Sequence, residues 1–140
     1  MPIEIKDCDG GIGNIIVGRG IITDQGLIDS LKKHLTQDKE KLKKYKFSLT
    51  DFTAVLKLAI DSEGVKFIAE LSEEAPKVNA DPIVAIVSKK DHIYGLSRMY
   101  ESLIGMTNWK IMVFRSKTEA VEWIREKVRE RFGIGNLTFG

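Results

Sequence analysis

Ser62, His92 and Asp51 are the residue types of a nucleophile, a base and its orienter. Any chain of this size offers such a set, and no nucleophile elbow surrounds the serine. HExxH and telling carboxylate pairs are absent from the sequence, and His34 and His92 lack metal-type partner spacing. Cys8 is the only cysteine, which excludes an intramolecular disulfide and a cysteine-based metal cluster. Gly10-Gly11-Ile12-Gly13 has the glycine content of a phosphate cradle, but such a loop must follow a strand and open a helix. Here it lies between two strand-like segments and reads as a hairpin turn. The residues therefore predict no catalytic site, no cofactor and no metal.

Two places could instead bind. Asp61-Ser62-Glu63-Gly64 is either an acidic helix cap or a corner presented to a partner. The segment from Ser88 to Gly105 carries Tyr94, Leu96, Met99, Tyr100, Leu103, Ile104 and Met106, more apolar and aromatic area than one buried stripe requires. That surplus fits a thick core face, a subunit contact or an apolar pocket against a sheet. Arg98 is its lone cation, suited either to an anionic headgroup or to an i,i+3 ion pair with Glu101.

The elements that must position these residues follow from periodicity. Ile3 and Ile5 alternate with charged residues as a short strand, and Asn14–Ile22 reads as its hairpin mate, with Gly18 and Gly20 marking a bulge or a close backbone approach. Thr23 or Asp24 caps a helix carrying Leu27, Ile28, Leu31 and Leu35. Residues 37–46 read as a charged connector whose lysines are interleaved with Asp38 and Glu40, and a strand runs over 45–51. Residues 52–60 fit either an extension of that strand or a helical turn. A helix with Val65, Ile68, Leu71 and Ala75 inward follows, ended by Pro76 and Asn79. Ile83–Val87 is a continuous apolar run, the mark of a strand covered on both faces. Ser88 and Asp91 resemble a capping box for a helix stopped by Gly105 and Asn108. A fifth strand, 109–114, leads to a full capping box, Ser116-Lys117-Thr118-Glu119, and a helix with Ala120, Ile124 and Val128 inward. The tail 133–140 is either docked or loose. The order β-β-α-β-α-β-α-β-α predicts one α/β domain over 1–140, a mixed sheet of about five strands with about four helices.

Composition agrees. The 140 residues are 43% hydrophobic and 30% charged, ordinary globular usage. With 22 basic and 20 acidic residues the net charge is +2, too balanced for a dedicated nucleic-acid binder. The first ten residues lack the pattern of a signal peptide, and no apolar stretch is long enough for stable membrane insertion, so a cytoplasmic protein is expected.

The element order and three segments resemble the STAS fold of anti-anti-sigma factors, and more closely the SpoIIAA-like proteins, a bacterial branch grouped with STAS and Sec14-type domains. Residues 82–103 resemble that branch's apolar strand and the helix with its Tyr/Phe-Gly-x-x-Arg-Met core, here Tyr94, Gly95, Arg98 and Met99. Residues 113–124 resemble its closing strand and capped helix, and 60–64 resemble the Asp-Ser-Ser-Gly signature. Glu63 stands where that signature's phosphoacceptor serine lies, and a glutamate there holds a fixed negative charge. The resemblance implies a non-enzymatic regulatory module acting through a protein partner or as a homodimer, with Tyr94, Arg98, Met99 and Tyr100 at the contact and Asp61, Ser62 and Glu63 at the switch corner. The Sec14-type kinship implies an alternative, a carrier or sensor of a small apolar, lipid-like ligand between the third helix and the sheet.

Overall fold

The computed structural model describes residues 2–36, 39–72, 82–104 and 110–140. Ala75, Pro76, Asn79, Gly105, Met106, Asn108 and Trp109, all assigned above, lie outside the described residues.

Strand β1 (Ile3–Cys8) pairs antiparallel with β2 (Gly13–Thr23), Ile3 opposite Gly18 and Cys8 opposite Gly13. The turn between them is a 3-10 turn with positive φ at Asp9, Gly10 and Gly11, which glycine adopts without cost. Gly13 allows another close approach: a Cβ there would run into the Phe47 ring. The expected bulge is present too, with register shifts between Val17 and Arg19 and between Gly20 and Ile21.

Helix α1 (Asp24–Thr36) follows, with the Thr23 hydroxyl accepting from the Gly26 N–H at 3.0 Å. The expected charged connector instead forms a short helix, α2 (Lys39–Lys44). Leu42 is buried and anchors it, while Lys41 reaches Asp7 at 3.2 Å. Strand β3 (Phe47–Ala59) runs parallel to β2 along its whole length, so residues 52–59 are strand, with Val55 and Leu58 buried against the helices. Helix α3 (Ser62–Ser72), strand β4 (Ile83–Val87), helix α4 (Asp91–Ile104), strand β5 (Lys110–Phe114) and helix α5 (Lys117–Phe132) complete the chain.

The sheet order is β1-β2-β3-β4-β5, all parallel except β1. Every parallel connection steps the same way across the sheet. Right-handed crossovers then put the connecting helices on one face, where Leu27, Val65, Ile68 and Ile93 pack with Ile16, Phe52 and Ile86. Helix α5 covers the other face with Ala120, Ile124 and Val128 against Phe47, Leu49, Ala85 and Val87. All five residues of β4 are buried, as an interior strand covered on both sides must be.

The Ser88 capping box does not form. Ser88 is fully buried and its hydroxyl lies 3.1 Å from that of Ser97, while α4 starts at Asp91. Arg115 secures that helix end instead, holding Asp91 at 2.7 Å and stacking over the Tyr94 ring at 4.0 Å. Ser116 does cap α5, accepting from the Glu119 N–H at 3.4 Å, and Gly133 closes the helix in the left-handed conformation.

The tail is docked. Leu137 is buried, Phe139 packs on Phe47 with ring centroids 5.1 Å apart, and Asp9 accepts from the Thr138 and Phe139 N–H groups at 2.6 and 2.9 Å. Burial alone would raise the Asp9 carboxyl, but these N–H donors and the Thr138 hydroxyl outweigh it and hold the group below its ordinary value.

Candidate functional site

A cavity of about 170 Å³ lies between the sheet and the helices of the α1/α3/α4 face. Its apolar walls come from Leu27 and Leu31 of α1, Val65 and Ile68 of α3 and Leu96 of α4. Ile16, Phe52, Val84 and Ile86 form the apolar part of the sheet floor. Among the described residues no Asp, Glu, Lys or Arg lines it, and His34 is the only ordinarily titrating side chain in the wall besides tyrosines.

Its polar groups fall into two sets. Those on the helices satisfy one another. Ser72 donates to the Ile68 carbonyl at 2.9 Å, so its oxygen accepts from the Tyr100 hydroxyl at 2.8 Å. Ser97 likewise donates to the Ile93 carbonyl at 2.8 Å and accepts from Ser88. Burial pushes the Tyr100 phenol up to about 12, so it stays a neutral donor.

The set on the sheet is different. Asn14 lies beside Ser48, and Ile16 beside Thr50, on neighbouring strands. The Tyr45 hydroxyl donates to the Asp7 carboxylate at 2.5 Å and so can only accept from the Asn14 amide. That fixes the Asn14 NH2 toward Tyr45, and the same nitrogen lies 3.1 Å from His34 Nε2. His34 Nε2 is therefore an acceptor, and the imidazole is neutral with its proton on Nδ1. Burial, the largest influence, lowers the His34 pKa and so favours the neutral imidazole. Asn14 is 2% exposed, yet its Oδ1 has no partner among the described residues. The half-buried Ser48 and Thr50 line the same floor.

Of the α4 residues singled out in the sequence, Tyr100 lines the cavity, joined by Leu96 and Ser97. Met99 and Tyr94 are half-buried against the same core cluster, Tyr94 beneath Arg115. Arg98 pairs with Glu101 at 3.1 Å, the structural alternative of the two considered. At the other corner, Asp61 caps α3 by accepting from the Gly64 N–H at 2.9 Å, Glu63 pairs with Lys66 at 3.3 Å, and Ser62 is exposed. Asp51, Ser62 and His92 do not assemble. Asp51 accepts from Thr53 at 2.7 and 3.0 Å and faces Lys117 at 3.4 Å, while Ser62 and His92 are exposed. The Cys8 thiol is pushed up to about 12, chiefly by burial, and is not a reactive thiolate. Sequence reasoning missed Asn14, Ser48 and Thr50.

No family model and no curated protein matches this chain. Solved structures do. One is an uncharacterised protein of the DUF3478 family with a SpoIIAA-like fold from Shewanella loihica, 16% identical over 87% of this chain and 91% of that one, with a TM-score of 0.50. Another is the anti-sigma factor antagonist SpoIIAA in its unphosphorylated form, 11% identical over 88% of this chain and 97% of that one, with a TM-score of 0.54. The chain thus has a SpoIIAA-like, STAS-type fold, as its element order implied.

Proposed function

We propose that this chain is a non-enzymatic regulatory binding module that holds a small apolar ligand between α4 and the sheet. The observation that carries this reading is the cavity of about 170 Å³, walled by leucines and isoleucines, with no charged side chain among its described lining residues. Few, convergent polar groups in an apolar concavity are the usual composition of a small-molecule site. Tyr100 and Leu96 are its α4 contacts, and Tyr94, Arg98 and Met99 extend the same helix toward a partner. Native mass spectrometry of protein purified from its own host tests the reading. A co-purifying mass lost on denaturation is expected; a clean apo mass with no uptake of added apolar compounds would contradict it.

A second reading, contact with a protein partner or a second copy of this chain, has its own support. Beyond Arg19 of β2 and Asp51 of β3 the two strands continue as a ribbon whose ladder pairs them to each other alone among the described residues. Its outer side exposes Ile21 at 64% and Leu56 at 69%, whereas parallel strands are ordinarily covered on both faces. The SpoIIAA neighbour, an anti-sigma factor antagonist, points the same way. In sedimentation, Ile21→Lys with Leu56→Lys is expected to lower self-association. A wild-type chain that stays monomeric at every concentration and binds no protein partner would remove this reading. The Asp61–Glu63 corner is read as a helix cap with a standing charge and not as a phosphorylation switch.

A further inference from the structure

We propose that the ligand of this cavity is a neutral, ring-sized molecule with one hydrogen-bonding end, and that this end is read by the sheet floor at Asn14, Ser48 and Thr50. The proposal rests on the ligand reading above and adds the ligand's size, charge and orientation.

Size follows from volume. An apolar cavity of ~150 Å³ accommodates benzene, so about 170 Å³ seats one ring or a short chain. Charge follows from the lining. An ionised group would lose its hydration among Leu27, Leu31, Ile68 and Leu96 without meeting an opposite charge among the described lining residues. The ion pair of Lys41 with Asp7, the carboxylate that Tyr45 bonds, is closed at 3.2 Å and lies outside the lining, and burial favours the neutral form of His34.

Orientation follows from which hydrogen-bonding capacity is spent. On the helix side the Ser72 and Tyr100 hydroxyls bond to each other, Ser97 bonds to Ser88, and Ser72 and Ser97 donate to backbone carbonyls. On the sheet side Asn14 Oδ1 accepts nothing, and the Ser48 and Thr50 hydroxyls have no side-chain partner among the described residues. Ser48 sits directly across from Asn14 and two positions from Thr50 on one strand. Neighbours across strands are ~4.8 Å apart and same-face neighbours along a strand ~6.6 Å. One hydroxyl laid on this floor therefore reaches two of the three groups, while Val84 and Ile86 on β4 receive the apolar body.

The test is a three-probe titration of the full chain, followed by amide chemical shifts, with benzyl alcohol, toluene and benzoate. Benzyl alcohol is expected to shift the amides around residues 14–16, 48–50 and 84–86. It should bind several-fold tighter than toluene, and benzoate should leave these amides unmoved. In Thr50→Val, an isosteric change, and in Ser48→Ala the advantage of benzyl alcohol over toluene should shrink about fivefold, the size of one neutral hydrogen bond. The three-probe comparison on the unaltered chain decides the matter even if a variant fails to fold. Equal binding of toluene and benzyl alcohol, or benzoate binding at the same amides, would overturn the polar-floor proposal and leave the apolar-site reading standing. Failure of all three probes to move these amides would overturn both.

Discussion

Val84→Phe plants a ring in the cavity from its β4 floor. Val84 is buried, lies beside Ser48 and Ile111, and faces the void. Empty volume in an enclosed core costs ~24 cal/mol per Å³, so about 170 Å³ left unfilled sets an upper bound of roughly 4 kcal/mol on the forgone packing. A phenyl ring fills about a third of that space, which stabilises the empty protein by ~1 kcal/mol. For a chain of this length the gain appears as a rise of about 3–4 °C in Tm. The assay is thermal unfolding of the apo variant beside wild type, with benzyl alcohol added to each. Wild type is expected to gain stability with benzyl alcohol, and Val84→Phe to start higher and gain nothing. Had the void been filled already, the added ring would overpack the core and cost ~1–3 kcal/mol. A variant that melts lower than wild type, or one that still responds to benzyl alcohol, would refute the reasoning.

Two further outcomes follow from the polar contacts. Asp9→Asn keeps a side chain that tolerates positive φ but removes the charge that the tail's N–H groups bond. It should cost ~1 kcal/mol, since these bonds are half exposed. Hydrogen exchange at the Thr138 and Phe139 amides should speed up, and unchanged protection there would show that the latch contributes nothing. His34 has a folded pKa below the ordinary 6.5, so between the two values the unfolded chain binds the extra proton. Its stabilising contribution is complete above about pH 6.5 and lost as pH falls through the window beneath it. Urea unfolding from pH 7.5 down to 5 should show that loss, and His34→Gln should flatten it; an equal slope in the variant would assign the loss to other groups.

Much of the fold was legible because the signals were local. The unbroken apolar run Ile83–Val87 could only be an interior strand, and Ser116 with Glu119 marked a helix start that the geometry bears out. The residues 52–60 were ambiguous because Val55 and Leu58 stand three apart, a helical spacing. The bulge at Leu56, opposite the step from Gly20 to Ile21, brings both inward on a strand. Helix α2 escaped notice because one buried leucine among lysines carries no periodicity. Ser88 misled because a buried serine beneath Ser97 and a capping serine look alike in sequence. The cavity itself was half visible, as the apolar surplus of the segment that became α4. Its floor was not. Ser48 and Thr50 alternate with Phe47 and Leu49, a pattern that reads as a polar face turned to water, whereas here that face turns toward the helices and the void.

The most direct test of the central claim, an open apolar chamber between α4 and the sheet, is a crystal pressurised with xenon, which enters dry cavities of this size. The account predicts an anomalous-scattering peak bounded by Ile16, Leu31, Val84 and Leu96. Absence of a peak there, with Leu31 and Leu96 collapsed onto Val84, would contradict it.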